Sequence, residues 1–207
     1  MRSLFERFFK PEGSKVDYLI VGLGNPGREY RISRHNVGFL AVDHLCQEFK
    51  IPITRHQFKS LYGQGTINES RLLLAKPTTF MNLSGQAVWP MVRFYKVEHQ
   101  NLLILHDDMD LPLGTIRIRP SGGSGGQKGL ASIIDSMGTQ NVPRMRIGIG
   151  RPPGRMQPRG YVLEDFSAKE QELLAVVFDN IANAVSTWMT EGIESAMTKY
   201  NGSSVNE

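Results

Sequence analysis

An apolar run interrupted only by Asp17 leads straight into a glycine-punctuated turn: VDYLIVGLG at 16–24, continuing as NPG to 27. Such a run reads as a buried strand, and it forces whatever follows to turn sharply. NLLILHDD (101–108) repeats the pattern, with four consecutive aliphatic residues that end in acid. Helical spacing alternates with these strands. Asn36 reads as a helix N-cap, followed by Val37, Leu40, Ala41, Leu45 and Phe49, with Pro52 past the end. Strands around Tyr62–Ile67 and Arg71–Ala75 flank a turn at 68–70, and Ser84 caps a helix to about Tyr95. Thr115–Arg119 alternates as a half-exposed strand. The glycine-rich stretch 121–129 feeds a helix ending at Gly138, Arg144–Ile149 is a further strand, and 151–160 is a loop. Ser167–Glu191 is amphipathic, with Leu174, Val177, Phe178, Ile181, Val185 and Trp188 on one stripe. Strands alternating with helices predict one α/β domain over 15–200. Residues 1–14 read as a loose extension (an amphipathic membrane arm at Leu4–Phe9 being the weaker reading), and 201–207 as a tail.

Composition excludes more than it identifies. With 40% apolar and 21% charged residues, the 207-residue chain is neither disordered nor fibrous. The lone Cys46 rules out an internal disulfide and fits a reducing cytosol. No apolar run reaches the roughly 18 residues of a membrane helix, and the first residues lack a signal-peptide core. The net charge of +4 conceals a partition. Residues 111–160 carry eight basic groups against Asp135, a balance of +7, while 161–207 carry two against eight, a balance of −6. A basic block of this kind points to an anionic partner on one face.

Four motifs could carry chemistry. GLGNPG follows a strand, but Pro26 sits in its turn and eight residues intervene before the helix, which argues against a dinucleotide site. Asn25 is then the useful residue, an amide presented at a strand end. HDDMD (106–110) could bind a hard cation, or one aspartate could orient a histidine, His35 being best placed. KPTTFMNLSG (76–85) joins a strand to a helix. SGGSGGQKG lacks the Lys-Ser/Thr ending of a P-loop and suits a mobile flap over a ligand.

Taken together, VGLGNPGREYRISRHNVGF, KPTTFMNLSG, HDDMDLPLGTIRIRP, GGSGGQKGL and RMRIGIGRP, in this order, resemble the bacterial-type peptidyl-tRNA hydrolases from about Asp17 to Thr198. The resemblance implies a cytoplasmic monomer with a twisted mixed β-sheet flanked by helices. It also implies hydrolysis of the ester between a peptide and the 3′-terminal ribose of tRNA, without metal or cofactor and without a membrane partner. Carried over, His35 is the general base and Asp107 its orienting carboxylate, with Asn25 the first choice for stabilising the oxyanion. Tyr30, Met81, Asn82 and Lys128 line the peptide channel. Arg119 and Arg146 hold a tRNA phosphate, and Arg117 and Arg144 are auxiliary or face the other side of their strands. The chain departs from the common pattern at Gln127-Lys128, where the family usually has His-Asn, and Lys128 offers donors without an acceptor. Two other classes compete: a non-enzymatic, splicing-factor-like RNA-binding relative, which predicts eroded catalytic positions, and a metal-dependent phosphoesterase built on HDDMD.

Overall fold

A computed structural model describes residues 15–203. Its strands are β1 (Tyr18–Gly22), β2 (Arg55–Gln57), β3 (Ser60–Ile67), β4 (Ser70–Pro77), β5 (Leu102–Asp108), β6 (Thr115–Arg119), β7 (Arg144–Gly148) and β8 (Gly202–Ser203). The helices are α1 (Val37–Glu48), α2 (Gly85–Tyr95), α3 (Lys128–Met137), α4 (Pro158–Tyr161), α5 (Ala168–Glu191) and α6 (Ile193–Tyr200). The strands form one sheet in the order β2-β3-β4-β1-β5-β7-β6-β8. Its centre, β4-β1-β5-β7, is parallel, and both flanks are antiparallel, giving the mixed α/β sheet expected.

Alternation along the central strands separates two cores. Ile20, Leu72, Leu74, Leu103 and Leu105 face α1, α5 and α6. Leu19, Val21, Leu73, Leu102 and Ile104 face α2 and α3. A sheet covered on both faces needs continuous apolar strands, which is why β1 and β5 show no polar alternation. Helix α1 lies unusually close to the sheet. A Cβ on Gly22 would sit 2.1 Å from the Gly38 carbonyl oxygen, and one on Gly38 2.4 Å from that of Leu105. This approach brings the residues just before α1 onto the end of β5.

Local chemistry departs from expectation at several points. Asn36 makes no cap bond to α1; its side-chain oxygen accepts from the Asn25 N–H, and its amide donates to the Asn25 carbonyl. Ser84 does not cap α2, because its hydroxyl donates back to the Met81 carbonyl. Both polar groups are buried, so they are used to fix loops rather than helix ends. Strands β3 and β4 are longer than expected, since Asn68 and Glu69 both adopt positive φ and close a two-residue hairpin. The proline-rich loop contains the single turn α4, with Pro158 at its start. Ser167 does cap α5, in a capping box with Glu170. The tail expected from residue 201 is partly ordered: the Asn201 side chain bonds both backbone groups of Ile118, and Gly202–Ser203 pairs with β6. Residues 1–14 and 204–207, and with them the suggested arm at Leu4–Phe9, lie outside the described residues.

Candidate active site

Parallel strands release their loops at one edge, so the segments after β1, β4 and β5 converge there. They enclose a cleft of about 620 Å³ lined by Asn25, Tyr30, His35, Met81, Asn82, Asp107 and Lys128. All seven residues assigned to catalysis or the peptide channel therefore meet in one place. Arg119 and Arg146 lie outside it.

His35 sits in a single helical turn, Arg34–Asn36, immediately before α1. Its Nδ1 is 2.8 Å from Oδ2 of Asp107. A carboxylate at Nδ1 favours the tautomer with the ring proton there, which leaves the Nε2 lone pair free to accept. The His35 ring is 14% exposed and Asp107 5%, so the carboxylate is shielded while the ring reaches the cleft. The turn is held from the other side as well. The Arg34 and His35 N–H groups donate to the carbonyls of Glu164 and Val162. The buried Arg34 guanidinium lies over the rings of Tyr161 and Phe166 and pairs with Glu170. Burial opposes ionisation of Glu170, but hydrogen bonds from Arg34 and Ser167 prevail and hold its carboxyl below the usual value.

Asn25 is oriented by its surroundings. Its side-chain oxygen accepts from the Met81 N–H at 2.9 Å, and its backbone is clamped by Asn36. The carbonyl end being engaged, the amide NH₂ is the end available to a substrate oxygen.

Sequence reasoning passed over Gln127. It is buried, and its Nε2 donates to Asp107 Oδ1 at 3.1 Å while its Oε1 accepts from the Leu130 N–H at 2.7 Å. One amide thus caps α3 and completes the Asp107 carboxylate. Glutamine is not among the residues that mark a helix start in sequence, so no cap signal pointed to it.

The three carboxylates of HDDMD do not converge. Asp107 serves His35, Asp108 pairs with Arg146, and Asp110 pairs with Arg151. Among the described residues no group of three His, Cys, Asp or Glu side chains is arranged to hold a metal ion.

The basic block forms a face of its own. Arg117 and Arg119 are two residues apart on β6, Arg144 and Arg146 two apart on β7, and the register pairs Arg119 with Arg144 and Arg117 with Arg146. Side chains two apart on a strand share a face, so all four arginines lie together, opposite Ile116, Ile118, Met145 and Ile147. Arg117 and Arg144 therefore do not face away. Arg144 is buried, and its guanidinium donates to the carbonyls of Gly122, Gly123 and Val142. It braces the glycine loop rather than presenting charge. Burial, and then the neighbouring Arg146, lower its pKa.

A family model described as "Peptidyl-tRNA hydrolase" matches residues 19–207. The chain is 46% identical over 183 residues to a peptidyl-tRNA hydrolase of Syntrophomonas wolfei, covering 88% of this chain and 99% of that protein. It is 47% identical to one from Carboxydothermus hydrogenoformans, over 89% of this chain and 98% of the relative. The fold matches a crystal structure of peptidyl-tRNA hydrolase from Acinetobacter baumannii with a TM-score of 0.83 and 36% identity, covering 91% and 97% of the two chains. With fold, cleft and sequence in agreement over nearly its full length, this chain belongs to the peptidyl-tRNA hydrolase family.

Proposed function

We propose that the protein hydrolyses the ester joining a peptide to the 3′-terminal ribose of tRNA, releasing both for reuse. The observation that carries this reading is the His35–Asp107 pair, 2.8 Å apart at the floor of a cleft that also holds the Asn25 amide. An ester is activated enough that a positioned base and water suffice. In this reading His35 Nε2 takes a proton from water as the water oxygen attacks the ester carbonyl. Asp107 stabilises the resulting imidazolium, and the Asn25 NH₂ donates to the oxyanion. The C–O bond to ribose then breaks, with the proton from His35 passing to the leaving 3′-oxygen. Tyr30, Met81, Asn82 and Lys128 line the peptide channel, while Arg119 and Arg146 grip a tRNA phosphate.

The setting we assign is cytoplasmic, with peptidyl-tRNA as partner and a monomer as the working form. No helix among the described residues is long and apolar enough to cross a membrane. The test is release of free peptide from an N-acyl-aminoacyl-tRNA, with and without a chelator. Turnover is expected in both, and His35→Ala should lower kcat by about 10²–10⁴-fold while tRNA still binds. Binding without turnover by the unaltered protein would instead indicate an RNA-binding relative; loss of turnover with the chelator, a metal-dependent enzyme.

A further inference from the structure

The charges that line the cleft do not balance. Asp108 and Asp110 are paired with the cations Arg146 and Arg151, whereas Asp107 is hydrogen-bonded to His35, which as a neutral base leaves that one negative charge in the cleft. Two cations also line it: Lys128 at the start of α3 and Arg159 in α4. Both are exposed, and among the described residues neither has an ion-pair or hydrogen-bond partner. The lining also includes apolar side chains, Phe80 and Leu163 (57% and 39% exposed) together with Met109 and Val162. The two cations outnumber the one unneutralised carboxylate, so a charged group entering beside Lys128 or Arg159 meets positive charge, next to apolar side chains that screen it less than open water does.

We infer that Lys128 and Arg159 form a charge filter for the peptide half of the substrate, favouring acidic residues near the ester and disfavouring basic ones. The proposal rests on the hydrolase reading and deepens it. A lysine and an arginine both have stems long enough to follow a side chain that varies in length and position. They can therefore select by sign of charge without demanding one residue type. An amide in place of Lys128 would contact the peptide backbone through both donor and acceptor and be indifferent to charge, whereas an ammonium is not. The same two cations could instead hold a phosphodiester at the 3′ end of the tRNA, which is common to every substrate, and the experiment separates these sources.

Three substrates on one tRNA, N-acetyl-Glu-Ala, N-acetyl-Gln-Ala and N-acetyl-Lys-Ala esters, are compared at low ionic strength. Exposed ion pairs of this kind lead us to expect kcat/KM to fall from Glu through Gln to Lys by about 3- to 10-fold in all, narrowing as salt is added. Lys128→Gln with Arg159→Gln should collapse the spread, and Lys128→Glu with Arg159→Glu should reverse it. Binding of the three substrates to His35→Ala provides the same comparison without chemistry. Equal kcat/KM and equal affinity for the three, with Lys128→Gln lowering all alike, would assign the cations to the tRNA and overturn the proposal. No hydrolysis of any of the three would overturn the hydrolase reading, and the charge filter with it.

Discussion

Gln127 shows how much one side chain can organise. If it only capped α3, a glutamate there would serve as well, since a carboxylate oxygen can accept from the Leu130 N–H. If it also positions Asp107, the glutamate fails, because it replaces a donor with a second negative charge beside Oδ1. Gln127→Glu is therefore expected to keep near-normal thermal stability yet lose about 10- to 100-fold in kcat with little change in KM, the scale of a hydrogen bond to a charged group. Gln127→His, which restores a donor, should recover much of the loss. Steady-state kinetics alongside a melting curve checks this, and an unaltered kcat in the glutamate variant would leave Gln127 as a cap alone. Asn36 teaches the same lesson, since an asparagine in front of a helix reads as a cap from sequence but here clamps the Asn25 backbone.

At the scale of elements, β5 joins two functions. Successive residues of a strand point to opposite faces, so Asp107 turns to His35 and Asp108 to Arg146. The arginine proposed to meet tRNA phosphate is thus part-neutralised by a carboxylate next in sequence to the dyad. Arg119, exposed on the neighbouring strand, is less encumbered. Arg119→Ala and Arg146→Ala should each weaken tRNA binding and lower the slope of log K against log salt by about 1. Asp108→Asn should do the reverse, tightening binding and steepening the slope. Titrations of tRNA at several salt concentrations measure all three, and a slope indifferent to every one would move the RNA footprint off this face. None of this followed from the order of arginines in the chain, since only the β6-β7 register reveals that all four share a face.

At the scale of the whole molecule, charge and pH response are set by how the layers are stacked. The acidic C-terminal segment forms α5 and α6, which pack on the sheet face opposite the four arginines. The acidic side chains carried on α5 and α6 therefore lie across the sheet from the four arginines, although Asn201 and β8 reach round to pair with β6. His106, on β5, is buried in the sheet with its Nδ1 donating to the Asp107 carbonyl. Burial pushes its pKa below the ordinary 6.5 and Arg144 adds to this, against the opposing pull of the Asp107 carbonyl and of the Asp107 and Asp108 charges. The folded protein thus holds His106 neutral, whereas the unfolded chain takes up a proton below about pH 6.5. Stability from this group is complete above that pH and is lost as pH falls toward the folded value, at up to about 1.4 kcal/mol per pH unit. His106→Asn should flatten the fall in melting temperature between about pH 7 and 5. A slope unchanged by the substitution would assign the acid sensitivity elsewhere.

Strand and helix order was legible because burial leaves a pattern, a continuous apolar run in β1 and β5 and a helical stripe in α5. The cleft residues were legible through motif resemblance, and the fold brings all seven together. Less visible were β2, α4, α6 and β8, which are short or mostly exposed and so carry little apolar pattern. By itself, the sequence determined an α/β chain with His35, Asp107 and Asn25 at loop and strand ends, because local propensity and hydrophobic pattern are properties of neighbours along the chain. Only the tertiary structure decided that Asn36 and Gln127 pack into the site, that Asp108 occupies Arg146, and that Lys128 and Arg159 are unpaired among the described residues. Hydrogen bonds and ion pairs are made with whatever group lies within about 3 Å in space, and the partners of Asn36, Gln127 and Asp108 lie 11, 20 and 38 residues away in sequence.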